Sequence, residues 1–488
     1  MKRNILSAML MGALLGSCST SHRAATALVT PSADPTLVIL HTNDTHSHID
    51  PLTDGSDLGG VARRKVLIDS VRAVQPNVLL IDAGDIVQGT LYFHLYKGAI
   101  EQEMLNELGY DVQILGNHEF DNGMGAMAKM YATARPTLLA TNYDLTGSTV
   151  EKMFKPYVVK EYAGKRVGLF SINLNPAGMV SEGNYDGVRF MPWKSTTDSI
   201  VNLLRNREKV DYVIAVTHIG YKGSDENPDL FGDCDVAAQT SGIDLIIGAH
   251  SHTKLEPAVR VANANGTDSV TIVQTGRYGA YLGEITVNLA NGTNNSRLIP
   301  VNSRLDAAAD TALLNRIAPY RAGIDSLYTH KVANVTATSP LNNKNQAMLT
   351  FAANFVRWRG EELASGVEMA IANKGGLRTT WNPGPLSEGE VIDMMPFYNK
   401  VVVLDIAGSD LIEAFNVMEA RGGDAVCGIT QKADINPDKT YRIATIDYLA
   451  NGGDYMTPLT RATRVAESAT VAYDDLLRYL TLHPDVNP

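Results

Sequence analysis

Residues that can bind divalent metal ions follow five separate apolar, strand-like runs of this 488-residue chain. The runs are ILHTNDTH (39–46), VLLIDAGD (78–85), DVQILGNHEFD (111–121), YVIAVTHIG (212–220) and IDLIIGAHSH (243–252). Continuous Val/Ile/Leu runs are typical of parallel strands covered on both faces, and open α/β sheets place their sites beyond the carboxyl ends of such strands. We therefore expect the polar side chains of these runs to converge at one edge of one sheet. They are Asp44, His46, Asp85, Asn117, His118, His218, His250 and His252.

The residue types at these positions indicate a site for two metal ions. Neutral imidazoles and carboxylates bind Zn, Mn, Fe or Co, whereas these runs contain no Cys that would favour a structural thiolate site. A carboxylate such as Asp85 has two oxygens and can bridge a pair of ions. Taken singly, none of these motifs is decisive, and an isolated histidine after a strand is more often an ordinary satisfied histidine than a ligand. The recurrence of five motifs in chain order favours the metal site.

This combination resembles the calcineurin-like metallophosphoesterase superfamily, and the extended motifs HTNDTH and GNHEFDNG resemble those of the 5'-nucleotidases. The resemblance covers residues 36–488 and implies an α/β fold, a four-layer α/β/β/α sandwich followed by a smaller α/β substrate-binding domain. It also implies two metal sites that share Asp85. One ion would be held by Asp44, His46, Asp85 and His252, and the other by Asp85, Asn117, His218 and His250.

His118 has a different expected role. The resemblance implies that it is not a metal ligand but faces the substrate phosphate, paired with Asp121, while Asn117 also contacts the phosphoryl group. A carboxylate that accepts a hydrogen bond from one imidazole nitrogen fixes the tautomer, so the other nitrogen can stabilise or protonate a departing alkoxide. The alternative is that Asp121 only caps a loop.

The first eighteen residues indicate export. Lys2 and Arg3 precede an apolar stretch from residue 5 to 15 that is too short to span a bilayer and suits a signal peptide. The sequence LGSC (15–18) resembles a bacterial lipobox, so we expect Cys18 to carry lipid and residues 19–35 to form a tether. The alternative is an ordinary secretory signal with an incidental Cys. We expect a lipid-anchored protein of the bacterial envelope, in the outer membrane facing the periplasm or the cell surface.

Length and charge bound the remaining possibilities. A chain of this size with 44% hydrophobic residues has room for two or three domains, and its formal net charge of −11 argues against a nucleic-acid polymer as partner. We expect a catalytic domain over 36–300, a connecting helix and hinge over 301–332, and a second domain over 333–488. Pro319 should kink or interrupt the connecting helix.

The second domain contains the segments NKGGLR (373–378), MPFYNK (395–400) and YLANGGDYM (448–456). Paired glycines expose backbone amides, an Arg offers a fork of donors and aromatic rings offer stacking faces, which together suit a nucleoside. By itself, this pattern also fits core packing and plain turns. The resemblance to the 5'-nucleotidase C-terminal domain implies a substrate pocket formed by Phe397 and Tyr448 as an aromatic clamp, Asn373, Gly376, Arg378 and Asn399 as polar contacts, and Asp454 as the ribose partner.

The resemblance implies hydrolysis of a nucleoside 5'-monophosphate, a small-molecule substrate, with two divalent metal ions. Three related reactions stay open: a 2',3'-cyclic-nucleotide phosphodiesterase with 3'-nucleotidase activity, a nucleotide-sugar diphosphatase and a thiosulfohydrolase. A surface-anchored nucleotide-binding lipoprotein without turnover is the alternative that is not an enzyme. Lys344 stands where many relatives have an Arg, which leaves the substrate range open.

Overall fold

The structure, a computed structural model, describes residues 35–181, 183–224 and 230–487. The expected signal peptide, the lipid-bearing Cys18 and the tether up to residue 34 lie outside these residues and stay predictions. Within the described ranges, none of the helices combines the length and the apolar character that a membrane crossing requires.

Two β-sheets organise residues 36–300. In chain order, the strands are β1 Thr36–Thr42, β2 Val78–Asp82, β3 Val112–Ile114, β4 Thr137–Leu139, β5 Tyr143–Asp144, β6 Phe154–Lys155, β7 Tyr157–Tyr162, β8 Lys165–Asn173, β9 Arg189–Phe190, β10 Tyr212–His218, β11 Leu245–Ile247, β12 Val259–Ala262, β13 Ser269–Val273, β14 Tyr281–Asn288 and β15 Asn294–Pro300. One of the two large sheets has seven strands in the order β15-β14-β1-β2-β3-β4-β6, and the other has six in the order β12-β13-β11-β10-β8-β7, while β5 and β9 pair separately as a small antiparallel sheet. Strands β1, β2, β3 and β4 are parallel neighbours, as are β8, β10, β11 and β13.

Helices cover the outer faces of these sheets. They are α1 Val61–Arg72, α2 Leu91–Tyr96, α3 Ala99–Leu108, α4 Gly123–Tyr131, α5 Trp193–Asn202 and α6 Asp233–Gln239. A π-helical turn, Leu203–Arg207, extends α5, and short 3₁₀ helices lie at His118–Phe120 and Ser303–Ala308.

Alternation of side chains along the central strands produces four layers. In β1, Leu37 and Ile39 enter the core between the sheets, whereas Val38 and Leu40 enter the core beneath α1–α4. In β10, Ile214 and Val216 belong to the same inter-sheet core, while Val213 packs with α5 and α6. Because successive strand residues point to opposite faces, a strand that is apolar throughout must be covered on both sides. The expected α/β/β/α sandwich is confirmed.

Residues beyond 330 build a second α/β assembly with its own cores. Its strands are β16 Lys331–Val335, β17 Met369–Ala372, β18 Gly384–Ser387, β19 Val401–Ala407, β20 Ala425–Cys427, β21 Thr440–Ile446, β22 Thr463–Glu467 and β23 Asp485–Val486. A five-stranded sheet runs β20-β17-β21-β19-β22, and a three-stranded sheet runs β18-β16-β23. Met369 and Ile371 enter the core on one face of the larger sheet, and Ala370 and Ala372 enter the core on the other.

The remaining helices are α7 Thr311–Thr329, α8 Gln346–Leu363, α9 Glu388–Met394, α10 Gly408–Ala420, α11 Asp447–Ala450 and α12 Ala472–Leu482, with short 3₁₀ helices at Lys374–Gly376, Lys432–Asp434, Gly453–Tyr455 and Thr457–Arg461. Helix α7 lies within the range 301–332 in which a connecting helix is expected, and it continues through Pro319, so the expected interruption at this proline does not occur. Leu313, Ile317 and Ile324, on both sides of the proline, pack into the core of the first sheet. This burial holds the helix together where proline removes one backbone hydrogen bond. The domain boundaries and the hinge stay predictions.

Candidate active site

The five metal-binding motifs meet where the carboxyl ends of the two sheets face each other. The motifs of residues 39–46, 78–85 and 111–121 follow β1, β2 and β3 of the seven-stranded sheet, and those of 212–220 and 243–252 follow β10 and β11 of the other. The expectation of a single sheet is therefore wrong. A strand covered by a second sheet is as apolar as one covered by helices, so the sequence pattern does not distinguish the two arrangements.

The loops that carry the candidate metal ligands have unusual backbone conformations. Asp44, His46, Asp85, His250 and His252 all have positive φ angles, between 47° and 75°. This left-handed region is costly for residues other than glycine and is found where the surrounding structure imposes it, often at functional sites. The backbone therefore turns sharply at each of these residues and aims the side chains at a common point.

Asp85 lies at the centre of the cluster. Its Oδ2 is 3.1 Å from Nε2 of His218 and 3.8 Å from Nε2 of His46. Three groups of potential ligands overlap through these residues: Asp44 with His46 and His252, His46 with Asp85 and His118, and Asp85 with His218 and His250. Asn117 lies beside the third of these groups, because its Oδ1 is 3.0 Å from Nδ1 of His250.

The imidazole nitrogens of the cluster face the buried carboxylates and one another. Nδ1 of His218 donates to the carbonyl oxygen of Ala83 at 2.8 Å, which directs its buried Nε2 toward Oδ2 of Asp85. Burial alone would lower the pKa of His218, but the charge of Asp85 and the hydrogen bond to it raise this pKa to about 10, so the carboxylate favours a positive charge at this position. Nε2 of His46 lies 2.9 Å from Nε2 of His252. Burial lowers the pKa of His250 to about 4 and that of His46 well below its usual value, so these rings are neutral. Imidazole nitrogens at hydrogen-bond distance from one another, beside buried carboxylates that favour positive charge, form an arrangement that suits a metal ion.

A buried glutamate fixes two of the ligand loops. The carboxylate of Glu119 accepts hydrogen bonds from the backbone N–H groups of Asp85 and Ile86 at 3.2 and 2.9 Å, and from that of Gly116. Burial, followed by the neighbouring charge of Asp85, raises the pKa of Glu119 to about 8. Partners of this kind hold metal ligands in position and influence affinity.

His118 and Asp121 form the hydrogen-bonded pair that the family resemblance implies. Nδ1 of His118 donates to Oδ2 of Asp121 at 2.8 Å, and the backbone N–H of His118 donates to Oδ1 of Asp85 at 2.9 Å. The His118 ring lies 5.9 Å from the ring of Phe397, measured between centroids. His118 therefore lies between the metal-type cluster and the aromatic residues of the second assembly.

One cavity of about 470 Å³ joins the two sets of expected site residues. From the first assembly it is lined by Asp85, Asn117, His118, Asp121, His250 and His252, and from the second by Asn373, Arg378, Phe397, Asn399, Tyr448 and Asp454. Asp44, His46 and His218 lie directly behind this wall and are fully buried. Gly376 does not line the cavity. It packs against the carboxamide of Asn373, while its neighbour Gly375 lines the cavity instead.

The polar residues of the second assembly hold one another in place. The hydroxyl of Tyr448 donates to Oδ1 of Asp454 at 2.9 Å, and Nδ2 of Asn373 donates to Oδ2 of the same carboxylate at 3.0 Å. A Cβ at Gly453 would lie within 2.6 Å of three Tyr448 ring atoms, so glycine allows the ring to lie against the backbone. Tyr448 therefore has a fixed orientation in the cavity wall.

Sequence reasoning missed several residues of the cavity wall. Met179, Ser181 and Asn184 come from the loop after β8, which has no motif that could have indicated them. Gln88 and Tyr398 each lie within three residues of an expected site residue and line the same cavity. For these two, proximity to Asp85 and Phe397 was the available signal.

Comparisons with known proteins match both halves of the chain. The calcineurin-like phosphoesterase family matches residues 37–254, and the 5'-nucleotidase C-terminal domain matches residues 327–426. Trifunctional nucleotide phosphoesterase protein YfkN of Bacillus subtilis (strain 168) is 26% identical, over 90% of this chain but only 33% of its own length. The 5'-nucleotidase of Mus musculus is 28% identical over 86% of this chain and 83% of that protein. The crystal structure of a 5'-nucleotidase precursor from Thermus thermophilus has a TM-score of 0.80 at 26% identity and covers 93% of this chain and 97% of its own.

The sandwich fold and the buried His/Asp cluster define a metal-dependent hydrolase of phosphate esters. The match of the second assembly to the 5'-nucleotidase C-terminal domain identifies the family within this class. The chain belongs to the 5'-nucleotidase family, in which a calcineurin-like phosphoesterase domain is joined to a 5'-nucleotidase C-terminal domain.

Proposed function

We propose that this protein hydrolyses nucleoside 5'-monophosphates to a nucleoside and inorganic phosphate. The observation that carries the proposal is one cavity that is lined by His118 and Asp85 of the first assembly and by Phe397 and Tyr448 of the second. Because the cavity is continuous, one ligand can place its phosphate beside the first pair and its base beside the second. Aromatic stacking contributes about 1–3 kcal/mol per base in other nucleotide-binding sites.

We propose that two divalent ions, drawn from Zn, Mn, Co and Fe, bind the His/Asp cluster. Asp44, His46, Asp85 and His252 would hold one ion, and Asp85, Asn117, His218 and His250 the other. The separate groups Asp44–His46–His252 and Asp85–His218–His250 support this division, and the approach of Asp85 to His46 at 3.8 Å links the two groups. When bound, such ions supply positive charge that acidifies the attacking water and offsets the charge of the phosphoryl oxygens.

Arg378 is placed to bind the phosphoryl group. Its Nη2 lies 3.4 Å from Nε2 of His46, and its buried Nε has no hydrogen-bond partner among the described residues. A buried guanidinium N–H without an acceptor is costly, and an anionic oxygen in the cavity would satisfy it. The Arg378 side chain would therefore stabilise an anion that binds beside His46 in the cavity.

His118 acts on the leaving group. As the water oxygen forms its bond to phosphorus and the bond from phosphorus to the 5'-oxygen breaks, Nε2 of His118 donates a hydrogen bond or its proton to the departing oxygen. The proton released by the attacking water balances this transfer, so the products are a neutral alcohol and phosphate. Asp121 holds Nδ1–H of His118 at 2.8 Å, which keeps Nε2 directed into the cavity.

A panel of substrates on metal-loaded protein tests the proposal. AMP should be turned over faster than 3'-AMP, 2',3'-cyclic AMP and a UDP-sugar, with p-nitrophenyl phosphate as a substrate that lacks the nucleoside. Faster turnover of the cyclic nucleotide or of the UDP-sugar would replace the proposed activity by one of the related reactions. Absence of any hydrolysis product from every substrate of the panel, measured by chromatography, would favour a binding protein.

We further propose that the chain is exported and anchored by lipid on Cys18. The charged start, the apolar stretch of residues 5–15 and the sequence LGSC support this. Labelling with a radioactive fatty acid in a bacterial host should mark the wild type and not Cys18→Ser. Equal labelling of both would contradict the proposal, and the membrane fraction that holds the protein would identify its location.

A further inference from the structure

We propose that Gln88 is a positioning residue that orients the Asp121 carboxylate and, through it, His118. The inference rests on the proposed role of His118 in phosphate-ester hydrolysis, but not on the identity of the nucleotide. Gln88 is 1% exposed and lines the cavity three residues after Asp85.

Gln88 and His118 share one acceptor. Nε2 of Gln88 donates to Oδ2 of Asp121 at 2.9 Å, and Nδ1 of His118 donates to the same oxygen at 2.8 Å. These two are the only donors to the carboxylate of Asp121 that the described residues provide. One oxygen with two donors on different elements fixes the rotation of the carboxylate, which His118 alone cannot do.

The orientation of the Gln88 carboxamide is itself determined. Its Oε1 accepts the backbone N–H of Gly89 at 2.8 Å, so the oxygen end is occupied and the amino end must face Asp121. An exchange of the two ends would place two acceptors together at Asp121. The carboxamide therefore acts as a fixed donor.

The backbone of Gln88 is held in a conformation that the loop imposes. Its φ is 71°, in the left-handed region, and the loop from Asp85 to Gly89 also contacts the ligand loop of His46. Asp121, by contrast, follows a short 3₁₀ turn, and its side chain is 22% exposed to the cavity. Gln88 thus connects a constrained loop to a carboxylate that could otherwise rotate toward solvent.

Loss of this hydrogen bond should weaken the action of His118 on the leaving group. A leaving group that is a weak acid depends on the histidine more than one that is a stronger acid. The reason is that its oxygen is less stable as an anion when the bond to phosphorus breaks. How strongly the rate depends on the acidity of the leaving group therefore measures the contribution of His118 to catalysis. A general structural defect would slow all esters by the same factor.

The test compares Gln88→Met with wild type on phenyl phosphate and on p-nitrophenyl phosphate, whose leaving group is the stronger acid. The ratio of kcat/KM for p-nitrophenyl phosphate to that for phenyl phosphate should rise about tenfold in Gln88→Met, a part of the 10²- to 10⁴-fold that such catalysis supplies. It should rise further in His118→Ala. Both substrates are measured on one preparation, so a partly unfolded sample does not alter the ratio.

Gln113→Met is the matched control. Gln113 is also fully buried, on β3, and its Nε2 faces the hydroxyl of Tyr131, outside the cavity wall. Its replacement should leave the ratio at the wild-type value. A rise in this variant too would assign the effect to loss of any buried glutamine and overturn the proposal.

Two further results would overturn it. One is an equal decrease of kcat/KM for both esters in Gln88→Met, and the other is no decrease for either ester. Metal content measured on the same samples should match wild type, and depletion in Gln88→Met would assign the defect to the Asp85 loop instead. If wild type hydrolyses aryl phosphates but not AMP, the proposed nucleotide substrate fails while the test of Gln88 stays valid.

Discussion

Arg378 and His46 are separated by 332 positions in the chain, yet Nη2 of Arg378 lies 3.4 Å from Nε2 of His46. The first residue follows a glycine pair of the second assembly, and the second belongs to the metal-type cluster of the first. A phosphoryl group that reaches the cluster would therefore also meet the guanidinium.

Replacement of Arg378 by Met should lower kcat/KM for AMP about 10- to 100-fold, because a hydrogen bond to a charged group contributes about 1.5–3 kcal/mol. Bound metal should stay at the wild-type level, as measured by elemental analysis. A loss of metal together with activity would show that Arg378 supports the cluster and does not bind substrate.

Asp85→Asn should remove activity by about 10³-fold or more and deplete bound metal. The neutral amide lacks the charge that a bridging ligand supplies, and Asp85 lies between His46 and His218. Elemental analysis and a phosphate-release assay measure the two effects. Asp69→Asn, on the exposed face of α1, is the control and should change neither. Full metal occupancy in Asp85→Asn would contradict the shared-ligand assignment.

Phe397→Ala should weaken the use of AMP and spare p-nitrophenyl phosphate. Removal of one stacking face costs about 1–3 kcal/mol, so kcat/KM for AMP should fall about 5- to 100-fold. The aryl ester has no nucleoside and should be hydrolysed within about twofold of wild type. An equal decrease for both esters would contradict a role of Phe397 in binding the nucleoside. It would instead indicate an effect on His118, whose ring lies 5.9 Å from that of Phe397.

Glu119→Gln should reduce metal affinity about 10- to 100-fold, the usual effect of removing a partner that holds the ligands. A carboxamide keeps one oxygen but places an N–H₂ group where the carboxylate accepts backbone N–H groups of Asp85, Ile86 and Gly116. Competition with a chelator gives the affinity. If the activity of Glu119→Gln recovers fully at saturating metal, the substitution acts on metal binding alone. A metal affinity equal to that of wild type would contradict the prediction.

Asp393→Asn should alter the pH dependence of stability. Asp393 accepts a hydrogen bond from the Tyr328 hydroxyl, and burial raises the pKa of this carboxyl from 3.8 to about 7. Because the folded state holds the proton more tightly than the unfolded chain, the stability from Asp393 is complete below about pH 4 and is lost as pH rises to about 7. A shift of this size corresponds to at most about 4 kcal/mol.

The amide can accept the same hydrogen bond and does not ionise. The difference in melting temperature between Asp393→Asn and wild type should therefore move in favour of the variant from pH 5 to pH 8. Glu390, which also faces Asp393, is present in both proteins. Asp325→Asn, on the exposed side of α7, should track wild type at both pH values. A constant difference between Asp393→Asn and wild type would show that the carboxyl is not protonated in the fold.

The sequence predicted the fold class and the residues that end the strands because both are local properties. An apolar run such as 212–218 must be buried on both faces, and the polar residue at its end must then lie at the sheet edge. The pairing of His118 with Asp121 came instead from the family resemblance, and their spacing of three residues fits one short turn. The reasoning from apolar runs failed for the number of sheets that carry the motifs, since coverage by helices and coverage by a second sheet leave the same apolar pattern.

Short motifs therefore determined which side chains reach the carboxyl ends of the strands, since strand direction and loop length follow from a few neighbouring residues. Contacts between distant segments decided the remainder. The pairing of two sheets around Asp85, the approach of Arg378 to His46, the exchange of Gly376 for Gly375 in the cavity wall and the shared acceptor of Gln88 and His118 all depend on how separately folded elements pack. Packing is a property of shapes that meet across hundreds of residues, and no local pattern encodes it.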